Sequence, residues 1–182
     1  PATRYGIWWH EFAQNISWRS SPLDWQATFE QSVVSSPDPP RSKREWKLLS
    51  EYACKNPGVF AGNIFAEMPF IWPMNEQNCL EGLIDLALFR PAEKRWFILD
   101  WKTNRIRPLR NELDQLRVVY RPQIAAYCKA VTEITKQPVD AGIYSTSTGK
   151  LIIYDEHELV EEWQRLKNLP PDELAEATVD SR

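Results

Sequence analysis

Histidine occurs only twice in the 182 residues, cysteine three times and glycine six times. The cysteines, Cys54, Cys79 and Cys128, are far apart and form no CxxC pair. That spacing excludes a zinc knuckle and an iron–sulfur cluster, and reads as reduced thiols of a cytoplasmic chain. No apolar run reaches the length of a membrane span, and no signal peptide is visible, so no membrane partner is expected. A phosphate loop is also missing. "STSTGKL" lacks the G-x-x-x-x-G-K-[ST] spacing, because Gly142 and Gly149 are seven apart and Leu151 follows the lysine. The stretch reads as a hairpin turn at Thr148-Gly149, and no nucleotide site is expected in this chain. The chain opens on "PATRYGIWWHEF" without a methionine, which suggests a domain of a longer protein.

What is present is ordinary in bulk: 43% hydrophobic and 26% charged residues suit one soluble domain with a sizeable core. Nine tryptophans are many for the length and point to a large aromatic core. The net charge of −3 hides a basic segment, with ten Lys/Arg against four acids between Arg90 and Lys129. Such a cluster is either a solvated helix face or a phosphate footprint.

Residues 1–62 read as helical: "IWWHEFAQNISW", then "SSPLDWQATFEQSVVSS" with Ser21 as N-cap and Pro22 at the first helical position, then "RSKREWKLLSEYACKN" after the breaker "PDPP". Residues 63–169 change texture. "NIFAEMPFIWP", "NCLEGLIDLALFRP" and "RWFILDWKTN" read as strands with hairpin separators. A helical region follows over 109–136, with Pro122 starting a second segment, then a strand–turn–strand and the amphipathic "HELVEEWQRLKNL". Residues 170–182 read as a polar, partly frayed tail. The order predicts an α/β domain: a mixed central sheet flanked by helices, with an N-terminal helical annex.

Charges inside apolar strands are costly unless something binds them. Asp100 and Lys102, two apart in "ILDWK", share a strand face. An antiparallel hairpin can set Asp85 of "GLIDLAL" beside Asp100. Two carboxylates so close repel, and a divalent cation with a preference for oxygen, Mg²⁺ or Mn²⁺, removes that penalty. Lys102 then stabilises charge on a phosphate oxygen or orients an attacking water. On this reading Lys102→Ala removes cleavage and leaves folding intact, and Asp85→Ala relieves strain in the metal-free protein. The competing reading is a buried Asp–Lys pair.

The motifs, in order, are Gly6 and His10 in "GIWWHEF", Glu67 and Pro69 in "EMPF", and Gly82 and Asp85 in "GLID". Asp100, Trp101, Lys102 and Thr103 follow in "DWKT", then Tyr120, Gln123 and Tyr127 in "YRPQIAAY". Together they resemble the RecB-like nuclease domains of the PD-(D/E)xK fold, of the AddA and RecB type. The resemblance runs from about residue 4 to 154. It implies a restriction-endonuclease-like core and a Mg²⁺- or Mn²⁺-dependent deoxyribonuclease, exonuclease rather than endonuclease. Asp85 and Asp100 resemble the metal-binding carboxylates, with the Trp101 carbonyl and His10 as further ligands, and Lys102 resembles the catalytic lysine. Gln123, Tyr127 and Tyr120 are implied to contact DNA or orient the lysine. Glu67 stands as a second-metal ligand, an arginine partner or a strand-edge residue. Arg105, Arg107 and Arg110 are candidates for phosphate contacts. The absence of late cysteines matches the branch without an iron–sulfur cluster. The implied partners are single-stranded DNA, UvrD/Rep-type helicase domains upstream in the same polypeptide, where any ATP would bind, and a second helicase–nuclease subunit. The setting would be double-strand break repair and recombination. Two alternatives remain: a catalytically idle nuclease fold used for DNA binding or assembly, and a free-standing repair nuclease.

Overall fold

The computed structural model describes residues 2–22, 24–105 and 112–178. Three helices come first: α1 (Ala2–Gln14), α2 (Trp25–Ser32) and α3 (Pro39–Lys55). The core elements follow as β1 (Asn63–Pro73), β2 (Cys79–Arg90), β3 (Arg95–Lys102), α4 (Glu112–Thr135), β4 (Val139–Ser145), β5 (Lys150–Ile153), α5 (Glu156–Leu166) and α6 (Pro171–Thr178). The three strands after residue 62 and the β4–β5 hairpin fall where the apolar runs predict them. Gly149 takes φ +68° in the hairpin turn, a conformation that favours glycine. No helix among the described residues is long and apolar enough to cross a membrane.

The local expectations needed three corrections. Helix α2 starts at Trp25 and not at Pro22, because the Asp24 carboxylate accepts from both the backbone N–H and the hydroxyl of Ser21 and closes a turn ahead of the helix. Pro122 does not divide α4, which is one helix across it. The carbonyl that loses a donor belongs to Val118, a solvent-exposed residue where water can replace the missing N–H. Residues 171–178 form a helix and not a frayed tail, because Leu174 is buried in the core that α4 covers.

The sheet runs β1-β2-β3-β4-β5, antiparallel except for the central pair β3 and β4. A parallel pair needs a long crossover, and α4 supplies it. The sheet separates two cores. On one side α4, α5 and α6 cover Ile84, Ile98 and Ile143. On the other, α1, α2 and α3 bring Trp8, Trp9, Phe12, Trp25, Phe29 and Trp46 against Leu86, Leu99 and Trp101. Six of the nine tryptophans, Trp8, Trp9, Trp18, Trp25, Trp46 and Trp101, pack in this annex core, where Trp18 stacks on Trp101 at 5.6 Å.

The strands also change sides partway along. In a regular strand alternate residues share a face. Yet Ile64 and Ala66 pack with the annex, and Met68 and Phe70 pack with α4. Likewise Leu80 and Ile84 lie on the α4 side, and Leu86 and Leu88 on the annex side. The crossover falls at Glu67 and Asp85, between the pairs Ala66↔Leu86 and Met68↔Ile84. Glu67 there has φ 49°, a left-handed conformation that costs a non-glycine residue about 1–2 kcal/mol.

Candidate metal and catalytic site

The strand crossover brings Glu67 and Asp85 to His10. His10 comes from α1, whose aromatic stripe Tyr5, Trp8, Trp9 and Phe12 is buried in the annex core and fixes the helix's rotation. His10 Nδ1 lies 3.0 Å from Asp85 Oδ1 and 3.8 Å from Glu67 Oε1. One potential ligand atom from each of the three residues falls within 4.8 Å of the other two. An imidazole nitrogen and two carboxylate oxygens, converging at a buried point, fit a divalent cation that takes hard or borderline ligands.

Asp85 has a second attachment. Its Oδ2 accepts from the backbone N–H of Trp101 at 2.7 Å. The β2–β3 register ends on Leu86↔Leu99, one position short of Asp85 and Asp100. The side chain of Trp101 points away into the annex core.

The two carboxylates escape mutual repulsion by separate pairings. Asp85 faces His10, and Asp100 Oδ2 lies 2.5 Å from Lys102 Nζ. Asp85, Asp100 and Lys102 are 2, 3 and 4% exposed, so each charge depends on its partner and not on water. Lys102 also donates to Gln123 Oε1 at 3.1 Å and sits 3.8 Å from the centre of the Tyr120 ring. Gln123 Nε2 donates in turn to the Tyr127 hydroxyl at 3.3 Å. Residues 120, 123 and 127 lie on one face of α4, and that face clamps the lysine.

Glycine is required at Gly82, where a Cβ would come within 2.7 Å of the Phe70 ring and 2.9 Å of Tyr127. The close approach lets Phe70 pack edge-on against Tyr127 at 5.1 Å.

Of the residues singled out from sequence, His10, Glu67 and Asp85 form one cluster. Asp100, Lys102, Gln123, Tyr127 and Tyr120 form the adjoining one. Arg105 lies apart from both and pairs with Asp38 at 2.8 Å. Arg107 and Arg110 lie outside the described residues.

Sequence reasoning passed over Arg41, Glu45, Tyr5 and Asn104. Arg41, 4% exposed, binds Glu45 Oε1 through Nε at 2.6 Å and donates from its terminal nitrogen to the Thr103 carbonyl. Its guanidinium stacks 3.6 Å from the Tyr5 ring centre, and the Tyr5 hydroxyl donates to Glu45 Oε2 at 3.1 Å. Burial, then the Glu45 charge, push the Tyr5 phenol well above its ordinary pKa. This clamp ties α1 and α3 to the residue after Lys102. The signal was positional: Arg41 and Glu45 stand eight and four residues before Leu49, on α3's buried stripe. Asn104 accepts from the Tyr120 hydroxyl at 3.0 Å. Nothing in its sequence context marks it.

Comparison with known proteins gives one result. A model of the PD-(D/E)XK nuclease superfamily matches residues 8–181, nearly the whole chain. No curated protein matches it.

Proposed function

The chain belongs to the PD-(D/E)XK nuclease superfamily, whose members are generally metal-dependent nucleases, and from the ordered motifs between Gly6 and Tyr127 we propose a DNA exonuclease domain of the RecB-like, helicase-associated type. Its work would be hydrolysis of phosphodiester bonds in single strands delivered by an attached motor, during break repair and recombination. The observation that carries the reading is the contact between two buried clusters, His10–Glu67–Asp85 and Asp100–Lys102–Gln123, across the backbone of Trp101. Three charges placed in adjoining apolar strands are costly for a purely structural role.

His10, Glu67 and Asp85 would hold Mg²⁺ or Mn²⁺, with Asp100 beside them. A divalent cation in that place supplies Lewis-acid activation and neutralises charge on the phosphate. The protein's own groups do the rest. Lys102 would present its amino group to the non-bridging oxygen or the attacking water, and Asp100 holds it in place. Gln123, fixed by Tyr127, restricts the lysine's rotamer. The Tyr120 ring covers the lysine at 3.8 Å, which strengthens its electrostatic effect by excluding water.

Linear and circular single-stranded DNA, incubated with Mg²⁺ or Mn²⁺, test the reading. Degradation of the linear form with the circle left intact is the expected result. Cutting of the circle would replace the exonuclease assignment with an endonuclease. No cleavage of either, in protein that binds Mn²⁺, would contradict the proposal.

A further inference from the structure

We propose that a single DNA strand binds in a basic cleft on the annex side, lined by Arg4, Arg41, Arg44 and Arg105. The inference rests on the nuclease reading and adds a binding surface for the substrate. The cleft begins at Thr103, one residue beyond Lys102, and encloses about 910 Å³ between the start of α1, the start of α3 and the segment after β3. A second cavity of about 410 Å³ shares Asp38, Arg41 and Arg105 with it and continues past Arg44 to Ser147 in the β4–β5 turn.

Three features make this more than a solvated face. The arginines come from three separate segments and converge on one concavity, whereas a solvated charge run follows one helix. All four are arginines, whose planar fork matches phosphate oxygens. The cleft also has an ordered gradient of exposure. Arg41 is buried under it, clamped on Glu45 and the Thr103 carbonyl, and the Arg44 and Arg105 side chains are 63% and 75% exposed. Among the described residues, Asp38 and Glu45 are the carboxylates in the lining, against four arginines. Asp38 holds Arg105 in a 2.8 Å pair, and a phosphate could replace that partner without new ordering of the guanidinium. The single-strand occupant is taken from the proposed function, and binding of a duplex is an outcome of the test.

Fluorescence anisotropy with labelled oligothymidylate in EDTA, where metal-dependent cleavage is absent, tests the cleft across a salt series. The Arg4→Gln/Arg44→Gln variant removes two exposed contacts. It should weaken binding about tenfold and lower the log–log salt slope by about 1.4, the value for two single-strand phosphate contacts. Lys129→Gln/Lys136→Gln makes the same charge change at the far end of α4 and should bind as the wild type does. Unchanged binding by the arginine variant overturns the cleft, and so does equal weakening by both variants. A duplex bound as tightly as the single strand overturns the strand assignment. Cleavage by the wild type in Mn²⁺, measured in parallel, reports separately on the nuclease reading. Cleavage with an indifferent arginine variant sinks the cleft and leaves that reading standing.

Discussion

Lys102 is held by Asp100, Gln123 and the Tyr120 ring, so its truncation has two consequences at once. Lys102→Ala should lower cleavage by about 100-fold or more, the scale of losing one electrostatic stabiliser. It also leaves Asp100 buried without its ammonium, which costs about 3–5 kcal/mol in the metal-free protein by urea unfolding. Intact folding was the expectation for a lysine that faces a phosphate, whereas here the lysine pairs with buried Asp100. Adding Asp100→Asn should recover part of that stability and none of the activity, a coupling that a double-mutant cycle resolves. A similar revision applies to Asp85. Like-charge repulsion predicted that Asp85→Ala would stabilise the metal-free chain. Instead, Asp85 accepts from the Trp101 N–H and pairs with His10, so its removal strands a buried donor and should cost about 1–3 kcal/mol. Unfolding midpoints with unchanged slope would check the sign.

Among the elements, the β1–β2 hairpin decides where the acids point. Its apolar positions run evenly through Ile64, Ala66, Met68 and Phe70, and nothing in that alternation announces a change of side at Glu67. This is why the three strands were legible from sequence and the role of Glu67 was not. Glu67→Gly should relieve the left-handed backbone and keep the metal-free Tm within a few degrees, with glycine's extra chain entropy offsetting the gain, about 0.5–1 kcal/mol. The same variant should shrink the rise in Tm that Mn²⁺ produces in the wild type. Gly82→Ala acts on the opposite wall. Its Cβ would collide with Phe70 and Tyr127, and overpacking of this kind costs about 1–3 kcal/mol. Helices α4 and α5 are tied by Arg117 and Glu158, and the Arg117 hydrogen bond lowers the Glu158 pKa. A lowered carboxylate pKa adds stability above the unfolded value, about 4.3. That stability is lost as pH falls through the folded value. Arg117→Met should therefore flatten the acid limb of stability measured in urea between about pH 5 and 2.

For the whole molecule, the sheet joins an aromatic annex to a helical core, and the candidate site lies where both contribute. His10 comes from the annex, Lys102 and Asp85 from the sheet, and Gln123 from the crossover helix. The family motifs made these residues legible because they are local and ordered along the chain. The Arg41–Glu45–Tyr5 clamp was not, since a buried ion pair at i, i+4 spacing reads the same as a surface one until tertiary packing is known. A cation bound only to the folded chain must raise its stability by mass action. Mn²⁺ should therefore raise the Tm of the wild type, and His10→Ala, with the imidazole gone, should reduce the shift. Metal-dependent hydrolysis should depend on the buried Lys102, next to the His10–Glu67–Asp85 group. Cleavage of end-labelled single-stranded DNA in Mn²⁺, by the wild type and by folded Lys102→Ala/Asp100→Asn, tests it most directly. Cleavage by the wild type alone is expected, while cleavage by both proteins at similar rates would rule out a catalytic role for Lys102.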